Sequence, residues 1–304
     1  MKKTFIIITI LCLSVISASA QSKFAIYGHL QRSEAPYFYI KANAGYNFQF
    51  AVSSASQHSE TSTATTDSRH DELSTISLGS GFNPGGSIGG MFTDYVGAEV
   101  DFKYLIGSKH ELRNTTSYTN PGSGLSTEDI TTYKPTMTFI SPMIVFQAPI
   151  SDIVKLYAKM GPTLSFGTMI VNETYTYTPE ANTGTPYDTD QETKYSGGMG
   201  IGMSGAVGME FEISSMVSLF GEASFISLSH AYTKSELTSS KYNGADDLAT
   251  KDVRDRQTEY VDSYDTDMMV PVDVTQARKA IKEYMAMSGV GVQVGLKICI
   301  GKSK

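Results

Sequence analysis

The feature that most constrains this chain is a strict period of two near its end. From Val290 the apolar residues Val290, Val292, Val294, Leu296, Ile298 and Ile300 take every second position, and Gly289, Gly291, Gln293, Gly295, Lys297 and Cys299 fill the positions between. Side chains along a strand alternate between faces, so Met285–Ile300 is a β-strand with one apolar face and one small or polar face. Phe38–Phe50 repeats the pattern: Phe38, Ile40, Ala42, Ala44, Tyr46, Phe48 and Phe50 oppose Tyr39, Lys41, Asn43, Gly45, Asn47 and Gln49. Such a strand is long enough to cross a bilayer when tilted, for which about 9 to 11 residues suffice.

The start of the chain says where these strands are delivered. Lys2 and Lys3, an apolar run and Ala18-Ser19-Ala20 make residues 1–20 a secretory signal peptide, cleaved so that the mature chain begins at Gln21. Cys12 follows Ile10 and Leu11 rather than the small residues of a lipoprotein signal. Its removal leaves Cys299 alone, so no intramolecular disulfide forms. Losing Lys2 and Lys3 takes the net charge from −7 to −9, which argues against a nucleic-acid partner. No later stretch is apolar for long enough to be a spanning helix. An exported chain of this kind is either a soluble β-sandwich or a closed barrel with its apolar face toward lipid and its polar face toward the lumen. The long strands with one wholly apolar face favour the barrel.

Six more strands follow the same logic: Gly85–Phe92, Tyr95–Ile106, Thr136–Ala148, Val154–Phe166, Tyr195–Ile213 and Met216–Ser229. Pro142 predicts a bulge in the fourth strand. Between the eight strands long and short connections alternate. Ser53–Pro84, Ser108–Pro135, Gly167–Lys194 and Ala231–Tyr284 are long and polar, whereas Thr93-Asp94, Pro149–Ile153 and Ser214-Ser215 are tight. The pattern predicts an all-β, eight-stranded antiparallel transmembrane β-barrel with short periplasmic turns and long extracellular loops. It divides the chain into a signal peptide (1–20), a short periplasmic lead (21–36), the barrel (37–300) and a polar tail (301–304). Tyr and Phe would form the interfacial belts, because Trp is absent.

On this pattern Tyr37 to Ile300 resembles the small eight-stranded outer-membrane β-barrel proteins, the porin-like and OmpA/OmpX-like family. Gln293, Gly295, Ile298 and Ile300 also resemble that family's C-terminal assembly signal, with Ile300 where the family usually has a terminal aromatic. The resemblance implies residence in the outer membrane, with its lipid and the barrel-assembly machinery as partners.

An eight-stranded barrel is just wide enough for side chains to fill. The inward positions hold Lys41, Lys103, Lys155, Lys159 and Lys297 against Glu99, Asp101, Glu210, Glu212 and Glu222. Buried charges need partners, so these should form lumenal ion pairs, Lys155 opposite Glu212 and Lys159 diagonal to Glu210, as a structural plug or a gate. The small inward residues of strand six, with Gly289 and Gly291, predict free volume in the outer lumen, filled from opposite or open as a pocket. In the last loop Asp273 as N-cap and the spacing of Val274, Ala277, Ile281, Tyr284 and Met285 predict a short helix at the barrel mouth.

Nothing in the sequence calls for a cofactor or a metal. The aspartates from Asp246 to Asp267 lack calcium-loop spacing, and His58 and His70 lack companion ligands. The favoured function is a non-enzymatic outer-membrane barrel with a largely filled lumen, its loops offering a surface to an extracellular ligand or protein. A narrow porin-like channel or binding barrel for small or lipophilic solutes is the alternative. A lipid-modifying enzyme would require His230 at the rim to meet a Ser and an Asp.

Overall fold

The computed structural model describes residues 35–50, 53–63, 67–119, 124–179, 184–265 and 273–301. The expected signal peptide, all but Ala35 and Pro36 of the lead, and residues 302–304 of the tail lie outside the described residues.

Among the described residues there are eighteen strands in one sheet, not eight. Eight of them form a closed cycle of antiparallel pairs. They are β1 (Tyr37–Gln49), β2 (Gly85–Met91), β3 (Val96–Gly107), β4 (Leu125–Pro149), β5 (Val154–Pro179), β6 (Gly200–Glu212), β7 (Val217–Ala231) and β8 (Gly289–Ile300). Each is paired with the next in the chain. β8 returns to β1 from Phe38↔Ile300 to Gln49↔Gly289, so the cycle has no edge. Closure satisfies the backbone groups that an open sheet would expose.

Three tight turns join β2 to β3, β4 to β5 and β6 to β7, and all share one geometry. The amides of Phe92, Ile150 and Ile213 donate to the carbonyls of Val96, Val154 and Val217 at 2.9 Å in each case. Thr93 Oγ1 and Ser214 Oγ accept from the amides of Val96 and Val217 at 3.0 and 3.1 Å. In these two turns a hydroxyl residue caps the backbone locally.

The opposite end departs from the sequence reading. The stretches expected as long loops are largely strands that carry the sheet beyond the ring. β4 and β5 run 25 and 26 residues and stay in one register from Pro149↔Lys155 to Leu125↔Pro179. His110–Thr119 pairs with the outer half of β4, and Tyr187–Ser196 with the outer half of β5. Lys234–Tyr242, Gln257–Val261 and Arg278–Ile281 follow in turn. On the other side the hairpin of Ser53–Thr63 and Asp67–Ile76 joins His110–Thr119 in parallel. These strands escape a search for apolar period because polar and aromatic residues, chiefly Thr, Ser and Tyr, make up most of them.

Two local expectations are corrected. Pro142 makes no bulge, because the register of β4 is unbroken against both β3 and β5. The β4–β5 ladder instead lapses between Ile140↔Leu164 and Ile144↔Met160, where that register sets Pro142 against Pro162, and proline has no N–H to give. The predicted helix after Asp273 is also absent. Arg278–Ile281 and Tyr284–Ala286 are strands, and Asp273 instead closes an Asx turn, its Oδ1 accepting from the Thr275 amide at 2.9 Å and hydroxyl at 2.6 Å. Pairing with Gln257–Val261 and with β7 outweighs a helical spacing only a few turns long.

Candidate functional site

The inward side chains of the ring fall into two buried apolar clusters and a set of charges. At the turn end Tyr37, Tyr39, Met91, Val145 and Cys299 form a buried apolar cluster. At the extended end a larger cluster contains Leu105, Met137, Phe139, Met169, Ile226 and Leu228 from the ring, with Leu78, Tyr232 and Met287 from the connections. Between them lie the charges.

All ten predicted lumenal residues point inward and meet as ion pairs, five cations against five carboxylates. Lys159 is the hub. Its side chain is 0% exposed, and its Nζ lies 2.7 Å from Glu99, 3.1 Å from Glu222 and 3.6 Å from Asp101. Lys41 shares Glu99 at 2.8 Å, and Lys103 reaches Asp101 at 3.3 Å and Glu222 at 3.8 Å. Lys297 binds Glu210 at 2.8 Å and Lys155 reaches Glu212 at 3.7 Å. Of the two expected pairs Lys155–Glu212 forms, but on the diagonal, since Lys155 faces Glu210 across the ladder, whereas Lys159 faces Ala206, too far along to meet Glu210. Lys297 from β8 takes Glu210 instead, because ion pairs across a narrow lumen join strands that are not neighbours in the sheet.

Aromatic rings complete the layer, and here an expectation is corrected: Tyr37, Tyr39 and Tyr157, which the sequence offers for the interfacial belts, are buried inside the ring, because they share parity with the lumenal charges. Tyr39 and Tyr157 donate to Glu99 and Glu222 at 3.0 and 2.9 Å. Lys41 Nζ lies 4.7 Å from the Tyr157 ring centre, 5.0 Å from Tyr39 and 5.3 Å from Phe220, and Lys297 Nζ lies 4.5 Å from Tyr39. Buried ammonium groups over ring faces recover part of the attraction lost on leaving water. The signal was available, since Tyr39 shares its strand face with Lys41.

Rings from neighbouring strands cover part of the small-residue surface. The Tyr157 ring lies over Gly208, and the Phe220 ring lies over Gly295 of β8. A cavity between Asn47, Lys103, Ser141, Ser204, Ser224 and Phe139 is about 10 Å³, about the room of one water. Gln293 joins this layer when its amide oxygen accepts from Lys103 at 2.7 Å and its nitrogen donates to Glu222 at 3.2 Å. Gly295 beside it is half-buried, and Ile298 and Ile300 point outward.

His230 does meet a serine, but not in a usable place. Its Nδ1 lies 3.0 Å from Ser165 Oγ and its Nε2 lies 3.3 Å from the Gly197 carbonyl. Both side chains belong to residues of 0% exposure, and no carboxylate orients the ring among its hydrogen bonds. A nucleophile needs a substrate path as well as a base.

Beyond the ring, the lumen-side face of the sheet turns into a tyrosine-rich wall. Val171 belongs to the inner cluster, and Glu173, Tyr175 and Tyr177 follow it at every second position of β5. Tyr187 stacks on Tyr177 at 5.0 Å and on Tyr242 at 5.7 Å, with planes 25° and 22° apart. Lower down, Tyr195 stacks on Tyr260 at 6.1 Å. Burial, then the carboxylates of Glu173, Asp129 and Glu283, push the Tyr133 hydroxyl above its ordinary range. Burial and the neighbouring Asp129 raise Glu173 as well.

The outer face of the ring is the reverse of a soluble protein's. Phe38, Ile40, Phe48, Ile88, Phe102, Ile144, Met160, Ile201, Val207, Leu219, Val294 and Ile298 are all exposed, at 44 to 69%. Along β1 this face runs from Phe38 to Phe48, about 34 Å of strand, or roughly 25 Å of height at the usual barrel tilt, the height of the apolar band of an outer-membrane barrel. No helix among the described residues is long and apolar enough to cross a membrane. A family model described as outer membrane protein beta-barrel domain matches residues 8–254. The search of curated proteins found no match.

Proposed function

Because the chain belongs to the outer membrane protein beta-barrel domain family, we propose that it is an eight-stranded transmembrane barrel with a closed lumen, acting through its surface rather than by conduction or catalysis. On this reading residues 1–20 are cleaved on export, the three tight turns and both termini face the periplasm, and the extended sheet stands outside the cell. Outer-membrane lipid surrounds the apolar belt. Gln293, Gly295, Ile298 and Ile300 serve as the signal read by the assembly machinery.

The observation that carries the proposal is the charge layer. A solute would have to pass Lys159, which is enclosed by Glu99, Asp101 and Glu222, and then the apolar cluster above it. Balanced pairing holds these groups in place, since freeing one costs several kcal/mol, about 3 to 5, by leaving its partner buried and unpaired. The lumenal residues are therefore a structural plug. The sealed Ser165–His230 contact supports a non-enzymatic role, because neither group has room beside it for a lipid.

The test is solute release from liposomes containing the refolded protein, with a heat-dependent gel shift on the same sample to establish that the barrel formed. Shifted protein in tight liposomes is the expected result. Release of small solutes by the shifted form would replace this reading with the narrow channel. Failure to insert would remove the transmembrane reading altogether.

A further inference from the structure

The tyrosine-rich wall beyond the ring is more than a stiffener. Its strands share the lumen-side face, because β5 keeps one register against β4 over its whole length and against Tyr187–Ser196 from Thr168↔Ser196 to Tyr177↔Tyr187. On that face Asp129 stands opposite Tyr175, and Glu173 is two positions below it. Lys134, Lys194 and Lys241 fall on the other face, by the alternation of their strands. The lumen-side face of residues 125–133, 168–179, 187–196 and 234–242 thus carries Asp129, Glu173 and the tyrosines and no Lys or Arg, and Arg278 joins that face only further round the sheet, opposite Thr258. The opposite face mixes signs, with Glu128, Asp188, Asp190, Glu192 and Glu236 among Lys194, Lys234 and Lys241, and Arg113 of the next strand meets Glu128 at 3.0 Å.

The stacking decides what such a face offers. Tyr177, Tyr187 and Tyr242 cover one another's ring faces, so a sugar ring has little flat surface to lie on. What remains outward are phenol oxygens and carboxylates, which accept hydrogen bonds, and the outer face of the 48% exposed Tyr242 ring, which attracts a cation. A negative, acceptor-rich face repels phosphates and favours N–H-rich cations. The row from Tyr195 to Tyr187 spans about 27 Å of strand, longer than a single small cation. We propose that this wall binds an extended peptide segment bearing Lys or Arg side chains, with Asp129 and Glu173 taking the charges and Tyr175, Tyr177, Tyr187 and Tyr242 lining its path.

The inference rests on the extracellular placement proposed above, and the experiment separates the two. Refolded protein in micelles is titrated with a fluorescent eight-residue peptide of alternating Arg and Ser, and with the same peptide carrying citrulline for Arg. The Arg peptide should bind, more weakly as salt rises, and Asp129→Asn with Glu173→Gln should weaken it at least tenfold while leaving the heat-dependent gel shift intact. Glu111→Gln with Glu128→Gln, which removes equal charge from the other face, should change it less than twofold. Equal losses in both variants, no binding, or preferential binding of a neutral oligosaccharide would overturn the proposal. Peptide binding by intact cells then tests sidedness alone, so a negative result there with binding in micelles overturns the extracellular placement and not the face.

Discussion

Replacing Lys159 by Met removes the hub charge while nearly keeping its volume. Glu99 then retains Lys41 at 2.8 Å, Glu222 retains Lys103 at 3.8 Å and the Tyr157 hydroxyl at 2.9 Å, and Asp101 retains only Lys103 at 3.3 Å. Four cations face five carboxylates, so one buried charge is uncompensated. The loss should be about 3 to 5 kcal/mol, the range for breaking a buried pair from one side. That is on the order of a hundredfold or more in the folding equilibrium. Adding Glu99→Gln restores four against four and should recover part of the loss, with a coupling of about 0.5 to 3 kcal/mol. The sequence contains no Trp, so unfolding in urea is followed by far-UV circular dichroism and by the gel shift of unheated samples. A Lys159→Met protein within about 0.5 kcal/mol of the parent, the scale of an ordinary surface change, would refute the account of the plug. So would a double variant whose loss equals the sum of the singles.

Three further outcomes are expected. Gly161→Ala would drive a Cβ into the Pro142 carbonyl at the lapse in the β4–β5 ladder and should cost at least about 2 kcal/mol by overpacking, measured by the same urea series; a neutral result would mean that the two strands can separate there. Val294→Arg, in the middle of the apolar belt, should cost about 2 to 4 kcal/mol in lipid vesicles and Ile300→Arg, at its edge, about 0 to 1; equal costs would argue against a membrane centred on this belt. Hydrogen bonds from the Thr275 hydroxyl and amide hold the Asp273 carboxyl below its ordinary range. A folded pKa below the unfolded one adds stability above the unfolded value, near pH 4, that is lost as pH falls through the folded value. Hydrogen exchange at Thr275 should therefore be steady from pH 8 to 5, after correction for intrinsic rates, and lose protection below about pH 4, whereas protection unchanged at pH 2 would remove the Asx turn from the account.

The ring was legible because its two faces meet different media. Where lipid lies on one side and packed charge on the other, as along β1 and β8, every second residue declares its side, and Lys41, Glu99, Lys159 and Glu210 were placed inward from parity alone. Their partners were not legible. Parity gives the face but not the stagger, and the contacts of Lys159 come from β3 and β7, strands that lie across the lumen rather than beside β5. The Lys159–Glu210 expectation failed for that reason.

The extended sheet was illegible for the complementary reason, and this bears on where function lies. Thr174 to Thr178 reads Thr-Tyr-Thr-Tyr-Thr, a run of strand-favouring side chains with no apolar face, so a search for hydrophobic period sees only a polar connection. Intrinsic preference would have found it. A mobile loop must order itself on binding, at a cost in conformational entropy, whereas paired strands with stacked rings such as Tyr177, Tyr187 and Tyr242 already hold their side chains in place. On the function proposed above, the polar stretches that looked least structured are therefore the ones that present a fixed surface, and the conspicuous charges of the lumen keep that surface standing on a closed barrel.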